Sequence, residues 1–196
     1  DLVRAYSNID PKYSVKKYGK AENAVKVFTK LVGKNNTPLL IAKLTQLYNN
    51  KDLHNNVLLL SKYLKNSSKT AAKKFAHHNQ IIHSLSKLNK KQAIIKEIKS
   101  LAKSYNRYKK RDKNSADFNQ ITSAVEVTLR EQAVNFHQER NKLYGSSKKT
   151  ITKLTLKIYQ LYFSCFPNGL IDDRENNSLI MHFYYAELLN QMGKFK

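Results

Sequence analysis

Glycine and proline are scarce in this 196-residue chain, with five and three copies, and cysteine occurs once, as Cys165. A single thiol closes no internal bridge, so a disulfide scaffold is excluded. So few glycines leave no Gly-x-Gly-x-x-Gly or Walker-type loop to cradle a phosphate. No apolar run approaches the roughly 20 residues that cross a bilayer, and no signal-peptide pattern opens the chain. Acid is also short: 14 Asp and Glu stand against 36 Lys and Arg, a formal net charge of +22. The chain opens on Asp1 rather than Met and ends on the turn-like Gln191 to Lys196 stretch, so it reads as a piece of a longer protein whose targeting signal lies elsewhere.

What is present favours helices. Leu, Lys, Ala, Ile, Gln and Asn are abundant, and 41% of the residues are hydrophobic, enough for a core at this length. The expected fold class is all-α. Charge is uneven along the chain: residues 1–111 carry 25 basic and 5 acidic side chains, and residues 112–196 carry 11 and 9. Such a field suits nucleic acid, anionic lipid or an acidic protein surface. The excess is mostly Lys, whereas Arg is the residue suited to bidentate phosphate recognition. A compositional bias that fills exposed helix positions with lysine is therefore the competing explanation.

Apolar spacing divides the chain into helices. Thr37-Pro38 reads as an N-cap followed by a first-turn proline, opening a helix with Leu40, Leu44, Leu47 and Tyr48 on one side. Asn49 to Asp52 breaks it, and 53–65 resumes with Val57, Leu60, Tyr63 and Leu64. A second pair follows over 70–88 and 91–105, with stripes through Phe75, His78, Ile82, Leu85 and Leu88 and through Ile94, Ile98, Leu101, Ala102 and Tyr105. Residues 106–114 read as a basic linker and the best internal boundary, separating a basic portion, 1–105, from 115–196. Beyond it, 116–143 forms a long helix closed by Gly145 at its C′ position, 148–166 ends at Pro167-Asn168-Gly169, and a last helix covers 178–192. At the front, 1–18 and 21–33 make a first pair, with Asp10-Pro11 interrupting or starting a helix. Six to eight antiparallel helices in hairpins point to an α-solenoid.

Three stretches carry a resemblance. In Gly19 to Phe28, Ala24 lies four before Phe28; Thr155 to Gly169 closes on Pro167; His182 to Phe195 places Ala186 at a helix crossing, Gly193 in a turn and Phe195 at the opening of a further helix. These resemble tetratricopeptide repeats, in which small residues let helices approach and aromatics fill the gaps. The middle pairs depart from the pattern, with Asp52 or Asn89 where the turn glycine would stand and with Thr45 and Asn56 at small positions, so the repeats are partly degenerate and the last is truncated. The opening Asp1 to Tyr6, the central Arg130 to Glu139 and Met181 to Leu189 further resemble large envelope-associated repeat proteins of delta-proteobacteria. That resemblance implies a periplasmic or outer-membrane-associated scaffold, with the cytoplasm as the alternative.

Chemistry is hard to find in the pattern. His77, His78 and His83 lack the i, i+4 spacing of a helical zinc site, and His137 and Glu139, two apart, point to different faces. Cys165 sits among Phe163 and Phe166 as a small hydrophobe, with no base or charge beside it in sequence to make it a nucleophile. Asp172, Asp173 and Glu175 lack the alternating ligands and glycine of a calcium loop. No catalytic, metal or cofactor residue is therefore expected, and the chain reads as a non-enzymatic scaffold for a protein or peptide. If first helices line the groove, the contacting residues are Lys43, Gln46, Asn50, Asn79, His83 and Lys87, and an acidic or C-terminal peptide suits them. The alternative is a nucleic-acid-binding α-solenoid using the basic strip 87–113, with Lys99, Lys103, Arg107, Lys109, Lys110 and Arg111, and Tyr105 and Tyr108 as stacking candidates. Peripheral attachment to anionic lipid through the same strip is a third reading.

Overall fold

A computed structural model of the chain describes residues 2–6, 20–168 and 177–194. Among the described residues the fold is all-helical, with no strand. The helices are α1 (described over residues 2–6), α2 (Lys20–Asn49), α3 (His54–Ser67), α4 (Ala71–Lys87), α5 (Lys91–Arg111), α6 (Phe118–Asn141), α7 (Gly145–Cys165) and α8 (Asn177–Gln191). The chain divides into two compact units, Asp1–Lys91 and Gln92–Lys196.

In the first unit, α3 packs against both α2 and α4. The contact stripe follows the 3.6-residue period: Ile41, Leu44 and Tyr48 of α2 meet Val57, Leu60 and Leu64 of α3, and Ala24, Phe28 and Val3 extend the cluster. Ala24 and Phe28 are both fully enclosed, as the small-then-aromatic spacing requires. Truncating Leu44 here would cost about 2–5 kcal/mol, the usual cost of a buried leucine.

The helix ends repeat one device. Asp52 and Asn89 adopt left-handed backbone, φ 55° and 52°, as does Gly193 at φ 65°. At each, the next residue's N–H reaches back five positions, Leu53 to the Tyr48 carbonyl at 2.9 Å, Lys90 to Leu85 at 3.0 Å and Lys194 to Leu189 at 2.9 Å. These are three copies of one Schellman-type stop. The two middle copies use Asp and Asn, the non-glycine residues that best tolerate this conformation.

Several sequence expectations are corrected. Thr37 is not an N-cap. The break lies at Gly33 (φ 77°, ψ 163°) and helix resumes at once, so Thr37 is buried inside α2 with its hydroxyl donating to the Gly33 carbonyl at 2.8 Å. Pro38 follows inside α2, just after the first turn beyond Gly33. Gly145 has positive φ, at 59°, but opens α7 rather than closing α6. The expected linker 106–114 is largely helix, because α5 runs to Arg111 with Tyr105 and Tyr108 buried. The expected helix ends near 18 and the Asp10-Pro11 interruption lie outside the described residues.

In the second unit α6 packs on α7 and α7 on α8. Side chains of α5 join them: Tyr105 donates to Thr122 at 3.1 Å, Tyr108 bonds Ser115 and stacks on Phe118, and the Cys165 thiol faces the Ala102 carbonyl at 3.9 Å.

The stop at Asn89 gives a direct test. Asn89→Ala should lower stability by about 1 kcal/mol because a Cβ-bearing residue without a local polar group is poorly suited to left-handed backbone, and Asn89→Gly should match or exceed the parent. Urea midpoints would measure both, and an alanine variant as stable as the asparagine would contradict the assignment.

Candidate functional site

The six residues expected to line a groove fall on two helices of the first unit. Lys43, Gln46 and Asn50 lie on or just beyond α2, and Asn79, His83 and Lys87 lie on α4. All are exposed except half-buried Asn79. A hydrogen bond from the Gln80 amide of α4 reaches Asn49 Oδ1 at the end of α2 at 3.2 Å. Lys90 adds a 3.3 Å bond to Asn55, and the rings of His54 and His83 meet edge to face. Three of the six thus belong to α2 or its end and three to α4, with His83 set against His54 of α3.

At the other end of the same two helices a cavity of about 450 Å³ opens, and none of the six lines it. Its apolar wall is Pro38, Leu39 and Ala42 of α2 with Leu64 at the end of α3. Its polar wall is Lys69, Lys73 and His77 around the start of α4. Local chemistry places these groups. The Ser67 hydroxyl donates to the carbonyl of Tyr63 at 3.0 Å and that of Ser68 to Leu64 at 2.6 Å, ending α3. The Thr70 side chain accepts from the Lys73 N–H at 3.4 Å, starting α4. Leu39 is 62% exposed, on the opposite side of α2 from Ile41 and Leu44. Burial, and secondarily the nearby Lys73 ammonium, hold the His77 imidazole below its ordinary pKa. In the sequence Leu39 stands off the core stripe, but nothing local sets it near Lys69 and Lys73.

The basic strip is only partly a strip. Lys96, Lys99, Lys103, Arg107 and Lys110 are exposed and recur every three or four residues on one face of α5. Lys109 instead turns inward and donates to the Cys165 carbonyl at 3.2 Å, and Arg111 pairs with Asp112 at 3.1 Å. Tyr105 and Tyr108, expected as stacking candidates, are 1% and 5% exposed and belong to the core.

The second unit buries a polar network that spacing alone did not reveal. Glu126, 2% exposed, accepts from Arg130 at 3.0 Å and from the Tyr162 hydroxyl at 3.0 Å. His137 Nδ1 lies 2.9 Å from the Tyr159 hydroxyl, and its Nε2 is 3.6 Å from Glu187. Burial holds the His137 imidazole low, with Glu187 opposing and Arg140 reinforcing that shift. Burial pushes Tyr159 upward and the Cys165 thiol up to about 11, so Cys165 stays protonated at neutral pH. The network ties α6 to α7, and Glu187 of α8 lies beside it.

Among the described residues no group of three or more His, Cys, Asp or Glu could hold a metal ion, and no helix is long and apolar enough to cross a membrane. The acidic run Asp172, Asp173 and Glu175 lies outside the described residues. On α8, Leu179, Ile180 and Phe183 are exposed. No protein-family model, curated protein or solved structure matches the chain.

The two depressed imidazoles set a pH dependence. A histidine whose folded pKa lies below its unfolded value, near 6.5, favours folding most fully above that value, and the contribution is lost as pH falls through the folded pKa. Urea stability should therefore be level above about pH 7 and fall on acidification below about 6.5. In an NMR titration His77 should titrate below a free imidazole, and Lys73→Gln should move it upward. A His77 that titrates at or above the free value would contradict the local geometry.

Proposed function

We propose that the chain is a non-catalytic interaction scaffold, a tetratricopeptide-like α-solenoid of partly degenerate hairpins, that holds an acidic protein or peptide on the α2–α4 side. The observation that carries this reading is the recurrence of one left-handed helix stop at Asp52, Asn89 and Gly193, with the same five-residue hydrogen bond each time. The stop follows α2, α4 and α8, each a first helix in the expected hairpin register, and that recurrence supports a repeat of helical hairpins. Charge supports the choice of partner. Between residues 23 and 91 the sequence has thirteen lysines and one carboxylate, Asp52. An acidic ligand meets little competition from the chain's own carboxylates there. An envelope setting follows the resemblance to delta-proteobacterial repeat proteins, and the cytoplasm is the alternative.

The test is charge reversal at the groove. Lys43→Glu combined with Lys87→Glu should abolish capture of the partner from the cells of origin, while circular dichroism stays unchanged because both side chains are exposed. Undiminished capture by the double variant would remove the groove assignment.

A second reading has its own observation, the exposed row Lys96, Lys99, Lys103, Arg107 and Lys110 on α5. Such a row follows a phosphate backbone without reading sequence, and with Tyr105 and Tyr108 in the core it does so without stacking. If this row binds duplex DNA, log affinity should fall against log salt with a slope of about −4, and Lys103→Gln should reduce the slope by about 1. A mobility-shift titration with no complex at low salt would eliminate it.

A further inference from the structure

We propose that the cavity between the N-terminal half of α4 and the segment of α2 after its kink is the anchor pocket of an acidic peptide, taking one aliphatic side chain of that peptide while Lys69 and Lys73 hold its flanking carboxylates. The inference rests on the scaffold reading and deepens it by naming where the ligand is gripped. A volume of about 450 Å³ is in the range of ligand sites, and the walls have the required division of chemistry. Pro38, Leu39, Ala42 and Leu64 present carbon to the inside. Pro38 is rigid, and Ala42 leaves room that a larger residue would fill. Leu39, 62% exposed, is an aliphatic group that a ligand would take out of water.

The opposite wall fixes the sign of the ligand. Lys69 and Lys73 flank the start of α4, whose first turn holds no acidic residue. The positive end of the helix and the two ammonium groups therefore add, and nothing acidic in the wall offsets them. His77, at the same wall, is favoured neutral because a proton there would be buried beside Lys73. A carboxylate entering the pocket reverses that balance and draws the imidazole pKa upward. Carboxylate is favoured over a nucleic-acid backbone for two reasons. Most of the wall is apolar, which a phosphate chain cannot use, and the sequence has no arginine between Arg4 and Arg107 to fork onto a phosphate.

The experiment is fluorescence anisotropy on the full chain with a labelled peptide of glutamates around a single leucine, the same peptide with serine for leucine, and a labelled oligothymidine. The leucine peptide should bind about tenfold more tightly than the serine peptide, the scale expected for burying one aliphatic side chain. Leu39→Ser and Lys73→Glu, both at exposed positions, should each weaken it by about tenfold with the urea midpoint unchanged. In the parent chain, saturating peptide should shift the His77 imidazole resonance and raise its pKa, a readout that needs no variant. Equal binding of the leucine and serine peptides, tighter binding of oligothymidine, or indifference to both variants would overturn the pocket. If the peptide is lost on Lys43→Glu with Lys87→Glu yet unaffected by Leu39→Ser and Lys73→Glu, the pocket falls and the groove reading stands. If neither pair of substitutions affects peptide binding or partner capture, both fall.

Discussion

Thirteen lysines share residues 23–91 with one carboxylate, Asp52, and that imbalance governs how the first unit is built. An ammonium buried without a partner costs several kcal/mol, so each lysine must keep its charged end in water. The buried positions of each helix accordingly hold no lysine: they include Ile41, Leu44 and Tyr48 on α2, Val57, Leu58, Leu60 and Leu64 on α3, and Phe75, Ile81, Ile82 and Leu85 on α4. The sharp left-handed stops at Asp52 and Asn89 then matter, since they bring the next stripe round without spending residues on long loops. Asp52 itself sits 3.6 Å from His54 at the turn, leaving α3 and α4 without any acid.

The second unit meets the opposite situation. It has acid to spend, and it spends some of it inside. Glu126 between Arg130 and Tyr162, and His137 against Tyr159, place directional bonds between α6 and α7, with Glu187 of α8 at 3.6 Å from His137. A buried ionic group of this kind adds little net stability over a hydrophobic pair, but each partner has only one position in which its bonds are made. It therefore sets the register of the helices more than it adds to their cohesion. Aromatic packing of Tyr159 on Tyr185 and Phe163 on His182 fills the space around those bonds.

Much of the helical pattern was legible in the residues because amphipathic spacing is a local signal. The stripes through Leu44 and Tyr48, Ile82 and Leu85, and Ile98 and Leu101 are all core, and Asp52 and Asn89 stand at the turn positions where the repeat pattern puts glycine. Thr37 misled because Thr-Pro is a good helix start in isolation, yet Gly33 four residues earlier supplies a cheaper break. The basic run 106–111 looked like a linker because charge hides the burial of every third or fourth residue: Tyr105 and Tyr108 face inward while Arg107 and Lys110 face out. The cavity was illegible for a different reason. It is made by residues some thirty positions apart, Leu39 and Lys73, and nothing in the local spacing of either helix says that they meet.

The cavity also has a physical cost that bears on its meaning. Ala42 and Ala76 are small residues in walls contributed by two helices, and larger apolar groups at those places would bury more surface and stabilise the unit. Filling such space is among the easiest ways for a sequence to gain stability. In a unit whose apolar contacts are already restricted by its lysines, an unfilled hollow with an exposed leucine at its edge gives up stability that would be easy to gain. The same two features, the hollow and the exposed leucine, are what a ligand with an aliphatic group would use, and the lysines that limit the core supply the attraction for its acid. On this view Lys69 and Lys73, which keep their charge in water at the rim, leave the space between α2 and α4 to be closed by a partner of opposite charge.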